Sequence, residues 1–469
     1  METPSHSPNP RQRRIPIAPG ALPLVGHGYT YSRGPLEFLQ YAAAWGPVVE
    51  VRLGPLTAIL LREPADIERL VVGESKRLTK DAMTRELRRI LGDGLLTTEG
   101  DTWLRHRRLI APVFQPSSVA GLGDIMVEVT ERQMQRIELE TQRELHADMT
   151  QLTLDIVTSA LFASDIGSEA SKVGPAIHAL MEHFGSGLVS LFPWIERLPL
   201  ASNRRAHAAL EALDDVLMGI VRRARSRNGA RLDLLSMLLA ARDDAGTGLG
   251  DRELRDHLMT FFLAGHETTA LALTFAVVLL GKNPDAESRL REEISTVLGD
   301  RRATSADMSR LPYARAVILE AMRLYPPAWA IGREALEDVT VAGYHVPKGG
   351  QLWMSQWVNH RDPRYFPDPE RFRPERWLDN LERTLPRFAY YPFGGGHRIC
   401  IGNHFAMMEA ILALVTLMGR HRIRLVNPDA PIKLFASITL RPKYPIPVVY
   451  EDARRKNSLH DLPKPTGSP

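Results

Sequence analysis

The 469-residue chain predicts a mainly α domain with a minor β portion. Three observations carry that expectation. Between the first β-type runs and Leu336, Leu, Ala, Arg and Glu dominate, apolar residues recur at spacings of three and four, and helix breakers are sparse. From Glu337 the texture changes: VTVAGYHVPKGGQLWMS alternates and turns like a small sheet, and NHRDPRYFPDPERFRPERW is a proline- and arginine-dense coil. No repeat or convincing linker divides the chain, so one large domain is expected.

The N-terminus, METPSHSPNPRQRRIPIAPGALPLVG, carries the pair Arg13-Arg14 that could open an export signal. Pro16, Pro19 and Pro23 interrupt what should be its apolar run. Residues 1–15 are therefore read as a flexible tail, 16–450 as the domain, and the polar, proline-bearing 451–469 as a disordered tail. A cytoplasmic protein with no membrane anchor is expected. A formal charge of +4 is too slight to argue for nucleic acid. The lone Cys400 excludes an intrachain disulfide, which suits a reducing compartment. It also excludes zinc sites built on cysteine pairs.

Taken in order, VVEVRLG (48–54) and TAILLRE (57–63) flank Gly54-Pro55 and predict a hairpin. WLRHR places Trp103 and Arg107 at i and i+4 on one helix face. Residues 258–280, LMTFFLAGHETTALALTFAVVLL, are long enough to span a membrane. His266, Glu267, Thr268 and Thr269 cluster mid-segment, where an ionisable group is costly in lipid, so a core helix is preferred. Within it, Gly265 leaves room beside the helix, and Glu267-Thr268 sets an acid beside an alcohol. Thr268 and Thr269 can equally bond back to the preceding turn. EAMRLYPP holds Glu320 and Arg323 three apart on one face, a pair worth ~0–1 kcal/mol if exposed.

FGGGHRICIG (393–402) raises the chemical question. Cys400 can be a small buried hydrophobe, the usual state of a lone thiol. A phosphate cradle would need a preceding strand and a G-K-[ST], and neither is present. A metal thiolate is the third reading. A helix over Gly402–Met418 would set Cys400 before a helix N-terminus, where amides and dipole lower a thiol pKa. Gly394, Gly395 and Gly396 remove side chains where a flat cofactor could lie, and Arg398 could pair a carboxylate on it.

On these residues the chain resembles the cytochrome P-450 superfamily. Phe393, Gly396, Arg398, Cys400 and Gly402 fill F-x-x-G-x-R-x-C-x-G, the family's haem signature. AGHETT (264–269) fills [AG]-G-x-[DE]-T-[TS]. Glu320 and Arg323, with Arg376 from FRPERW, resemble its structural charge triad, and the signatures come in the family's order across residues 18–450.

The resemblance implies the P-450 fold, with haem b between the long central helix and the cysteine-loop helix. It implies Cys400 as axial thiolate, and Trp103, Arg107, Arg333 and Arg398 on the propionates. Phe393, Ala264 and Gly402 would lie against the cofactor. Ala264 and Gly265 would form a groove for O2, with Thr268 holding a water or oxygen ligand and Glu267 passing protons. Phe261, Phe262, Ala264, the loop around 82–96, Ala328 to Ile331 and Ser437 would line an apolar pocket. The implied activity is monooxygenation of a hydrophobic substrate of terpenoid, steroid, fatty acyl or polyketide type. A monomer is implied, drawing electrons that originate from NAD(P)H through a ferredoxin or flavodoxin with its reductase. A non-catalytic haem-thiolate sensor is the alternative. Arg105 and Arg108, on the other side of the WLRHR helix, are expected to dock the acidic electron carrier.

Overall fold

The computed structural model describes residues 14–162, 176, 179, 180, 198, 200–226 and 233–453. The two β-type runs pair antiparallel as β1 (Val48–Leu53) and β2 (Leu56–Leu61), turning at Gly54, whose φ of +61° suits a residue without a Cβ. The sheet they begin is not local. Its strands run β1-β2-β8-β5-β3, with β3 (Leu78–Lys80), β5 (Ile331–Ala335) and β8 (Gln351–Met354). β8 lies parallel to β2, Ile59 opposite Leu352, although nearly 300 residues separate them. Hydrogen bonding on both edges explains why β8 is buried throughout. One detail differs from the sequence reading: β3 and β5 lie inside the stretch read as mostly helical.

The smaller β units are a hairpin of β6 (Val339–Val341) and β7 (Tyr344–Val346), a hairpin of β10 (Leu434–Ala436) and β11 (Leu440–Pro442), and a three-stranded sheet. That sheet joins β4 (Gln142–Glu144), β9 (His421–Leu425) and β12 (Pro447–Asp452). β12 pairs through Asp452, two residues into the segment read as a disordered tail.

Helices form the bulk. Those that carry the argument are α1 (Pro35–Ala43), α2 (Gly100–Ile110), α3 (Gly123–Gln135), α4 (Leu145–Phe162), α5 (Ala201–Arg225), α6 (Asp251–Lys282), α7 (Pro284–Leu298), α8 (Pro312–Leu324) and α9 (Asn403–Arg420). α6 holds the apolar segment. Its most apolar 18-residue window is 78 % buried, the condition of a core helix. Among the described residues no other helix is long and apolar enough to cross a membrane. α4, α8 and α9 pack around it, and one hydrophobic core runs through all four.

The space beside Gly265 belongs to α4. A Cβ there would meet Val157 at 3.4 Å, an ordinary contact, so α4 runs close beside this face of α6. α6 begins with Glu253 accepting the Gly250 N–H at 2.8 Å, which satisfies one free amide of its first turn.

The predicted charge triad is a network centred on a fully buried pair, Glu320 and Arg323. Arg323 forks onto Glu320 with Nε–Oε2 2.8 Å and Nη2–Oε1 2.9 Å, and both side chains are inaccessible. Arg376 Nε reaches Glu320 Oε1 at 2.9 Å, Trp377 Nε1 reaches Oε2 at 2.8 Å, and the Arg373 amide adds 3.0 Å. Arg323 spends its remaining protons on the carbonyls of His360, Pro369 and Arg371. The triad thereby ties α8 to the proline-rich coil that leads toward the cysteine loop.

Candidate active site

The cysteine loop is held by its own backbone. Cys400 N donates to Phe393 O at 2.9 Å, and Gly394 and Gly396 take φ of +69° and +66° to make the turn. Gly395 and Gly396 also accommodate the protein itself. A Cβ on Gly395 would strike the Phe388 ring, and one on Gly396 would come 2.7 Å from the Val71 carbonyl. Only Gly394 keeps open space, so the expectation that all three glycines face a cofactor narrows to that one. Gly402 caps α9.

The Cys400 thiol is solvent-accessible, yet enough protein surrounds it that burial pushes its pKa up. Accessible and enclosed together describe a group on the wall of an internal cavity. The Gly402 N–H bond and the charge of Arg107 pull the thiol in the opposite direction, but burial is the largest influence. The helix terminus alone therefore does not set the thiol low, contrary to the sequence expectation.

The same contrast appears on α6. Ala264 is exposed in the middle of this core helix and Thr268, one turn on, is half-buried, whereas Thr269 is buried. Thr268 Oγ1 donates to Ala264 O at 2.7 Å. Its proton is committed to the preceding turn, and its oxygen is left to accept.

Glu267 points elsewhere, since neighbouring helix residues lie about 100° apart. It is buried against the β10–β11 hairpin, with Arg441 Nε at 2.6 Å and Thr439 Oγ1 at 3.3 Å. The expected acid–alcohol pair is thus a Thr268 on the cavity wall and a Glu267 fastened to a hairpin behind it.

A cluster of cations lies beside the loop. Arg398 pairs with Glu99, donates to Thr98 O at 2.9 Å, and stacks 4.0 Å over the Trp103 ring. Its other terminal nitrogen, Nη1, is buried without a partner, and burial brings its pKa down to about 10. Arg333 is buried on β5, where its Nη1 donates to the Gly332 carbonyl at 2.7 Å, and burial lowers it too. Arg107 is half-buried, lowered by burial with the Cys400 charge opposing.

A fourth cation was not anticipated. Lys80, on β3, sits directly across from Arg333 in the strand register and is buried. Burial, then Arg333 and Arg398, bring its amine down to about 7. Nothing in RLTKD announces it; only the β3–β5 pairing, some 250 residues apart in sequence, brings it in.

Against Lys80, Arg107, Arg333 and Arg398 stand two carboxylates, Glu99 and Asp81. The excess is one positive charge with Lys80 neutral and two once Lys80 is protonated, which matches the charge of two propionates. A planar dianion with a thiolate-binding metal therefore fits this wall, with Cys400 as ligand and these four cations and Trp103 at its acidic edge.

Lys80→Met keeps the volume and removes the charge. Haem transfer to a scavenger apoprotein is expected to be about tenfold faster or more, since bonds to charged groups carry ~1.5–3 kcal/mol. Between pH 7 and the ordinary lysine value, an amine lowered in the folded chain must take up a proton when an anion binds. Binding then weakens as pH rises. The difference in pH slope between parent and variant isolates this contribution from proton release at Cys400; identical slopes would contradict it.

The pocket residues divide. Phe261 is partly exposed, edge-on to Phe114 at 5.0 Å. Phe262 is buried and stacked on Phe162 of α4 at 5.4 Å, so it belongs to the core and not to the cavity lining. Ala328 and Ile331 are half-buried, and Ser437 sits at the β10–β11 turn, its carbonyl accepting from Trp329 Nε1 at 2.8 Å.

The docking expectation is also revised. Arg105 is committed inward, to Asp243 at 2.9 Å, Glu253 at 2.9 Å and the Gly248 carbonyl at 2.9 Å. It clasps α2 to the start of α6. Arg108 alone of the two is exposed.

Residues 16–448 match the family model described as cytochrome P450. Cyclooctatin synthase of Streptomyces melanosporofaciens is 37 % identical over 90 % of this chain and 92 % of its own length. Pentalenene oxygenase of Streptomyces avermitilis is 34 % identical over 90 % of this chain and 94 % of its own. The crystal structure of the cytochrome P450DA heme domain superposes with a TM-score of 0.85 at 28 % identity, covering 94 % of this chain and 98 % of that one.

Proposed function

The chain belongs to the cytochrome P450 family, and from that premise we propose that it oxygenates a terpenoid, a compact hydrocarbon or its mono-alcohol. The cofactor class is haem-thiolate and the reaction class is monooxygenation with O2. Haem, held by Cys400 and the surrounding cations, would supply the oxidising chemistry when bound.

The chain's own residues bind, orient and pass protons. The observation that carries the reading is the enclosed but accessible Cys400 beside a wall where cations outnumber carboxylates. Thr268 offers an acceptor oxygen on the cavity side of α6, suited to hold one water in place. Glu267 is assigned to the proton path, and to serve it must turn from its ion pair with Arg441 toward that water. Cytoplasmic residence, and electrons from NAD(P)H by way of a ferredoxin or flavodoxin and its reductase, complete the proposal. Exposed Arg108 on α2 is the candidate contact for that carrier.

The terpenoid assignment rests on two supports. Apart from Thr268 and Ser437, the accessible residues that the reading assigns to the pocket, Phe261, Ala264, Ala328 and Ile331, are apolar. The relatives' names denote an alkene, pentalenene, and an unsaturated alcohol, in cyclooctat-9-en-7-ol 5-monooxygenase, 34 % identical over 90 % of the chain. Titrating the ferric protein with cyclic terpene hydrocarbons, steroids and fatty acids, and following the haem absorption shift, tests it. Saturable shifts with terpenes are expected. Shifts with fatty acids or steroids and none with terpenes would overturn the assignment while leaving the family intact.

A further inference from the structure

The β10–β11 hairpin belongs to no larger sheet, so contacts outside the strand pair fix its position. Those contacts lead two ways. Toward the pocket, Leu440 N donates to Pro327 O at 3.0 Å and Ser437 O accepts from Trp329 Nε1 at 2.8 Å. This ties the hairpin to the turn after α8, which carries Ala328 and runs into Ile331. Toward α6, Arg441 Nε and Thr439 Oγ1 both reach Glu267 Oε1, at 2.6 and 3.3 Å. The same Nε lies 3.2 Å from Thr439 Oγ1, so the two partners of the acid also hold each other.

Very little chain joins the two sets of contacts. Thr439 lies two residues beyond Ser437 and Arg441 four, across a turn closed by Ser437 N on Thr439 O at 3.1 Å. A shift of the turn therefore carries the partners of Glu267 with it. Ile438 at the tip is exposed, whereas Thr439 and Glu267 behind it are buried. The Arg441 side chain keeps 19 % of its surface in water, so a proton can reach the carboxylate from that side once the pair opens.

We propose that this hairpin is a substrate-operated latch on the proton path. Arg441 is the positioning residue that holds Glu267 away from the water on Thr268. A substrate lodged against Ser437 and the turn at 327–331 displaces the hairpin and opens the pair. The freed carboxylate takes a proton from solvent and passes it to that water. Protons are then delivered only when there is a molecule to oxygenate. The inference rests on the reading of Glu267 as the acid of the path.

The probe is whichever compound of the titration panel above gives the largest haem absorption shift. Infrared difference spectra of the ferric holoprotein, with minus without that compound, should show a protonated-carboxyl band that Glu267→Gln lacks, because a buried carboxylate parted from its cation takes up a proton. Arg441→Met should show the band before the compound is added. It should also bind the compound about tenfold more tightly, because no charge-assisted bond then has to be broken, whereas a merely damaged protein would bind it less well. Thr439→Val leaves the charges paired and should move both readings the same way by less, which keeps the test open if Arg441→Met fails to fold. No such band in the parent, or variants that bind the compound no more tightly than the parent, would overturn the latch. The acid reading beneath it fails separately, if Glu267→Gln leaves the solvent deuterium isotope effect on NADPH consumption unchanged.

Discussion

Glu320→Ala is expected to yield little folded protein. The carboxylate receives four donors: the Arg323 fork, Arg376, Trp377 Nε1 and the Arg373 amide. Removing it leaves Arg323 charged at zero accessibility, its carboxylate partner gone. Breaking one side of such a buried pair costs about 3–5 kcal/mol, a large part of the ~5–15 kcal/mol that holds a domain together. The exposed pair Arg420–Glu131 provides the contrast, since Arg420→Ala should cost below about 1 kcal/mol. Urea unfolding and the yield of haem-loaded protein read both variants. A Glu320→Ala protein that unfolds within about 1 kcal/mol of the parent would refute the structural role.

What the sequence made legible were features spelled out within one or two helical turns. The hairpin at Gly54, the helix after Cys400, the Trp103/Arg107 face and the Glu320–Arg323 spacing all follow from local periodicity and turn chemistry. What it hid depends on partners far along the chain. Arg105 looked like a free surface charge because Asp243 and Glu253 lie about 140 residues away. Phe262 and Phe261 are adjacent in sequence, but the helix turns one toward Phe162 and the other toward Phe114. Lys80 became visible only through strand pairing. Local pattern states which residue types stand near one another on an element; which face meets the site is decided by packing.

Cys400→Ala is the sharper test of chemistry. Burial raises the thiol in the folded chain, so the thiolate is not a resting property of the loop; metal binding must displace the proton. The protein's contribution is to make that displacement easier, through the Gly402 N–H at the sulfur and the nearby Arg107 charge. Alanine removes the sulfur but leaves the Phe393–Cys400 backbone bond and all four cations, so the loop and the propionate wall survive. The variant is therefore expected to fold and to take up haem more weakly. It should lose the red-shifted Soret band of the reduced carbonyl complex and all monooxygenase turnover. Arg107→Leu should keep the band and shift the pH at which the thiolate forms upward, because a favourable charge is gone. If Cys400→Ala retained the red-shifted band, another residue would be the ligand. The accessible sulfur would then be no more than a small side chain on a cavity wall.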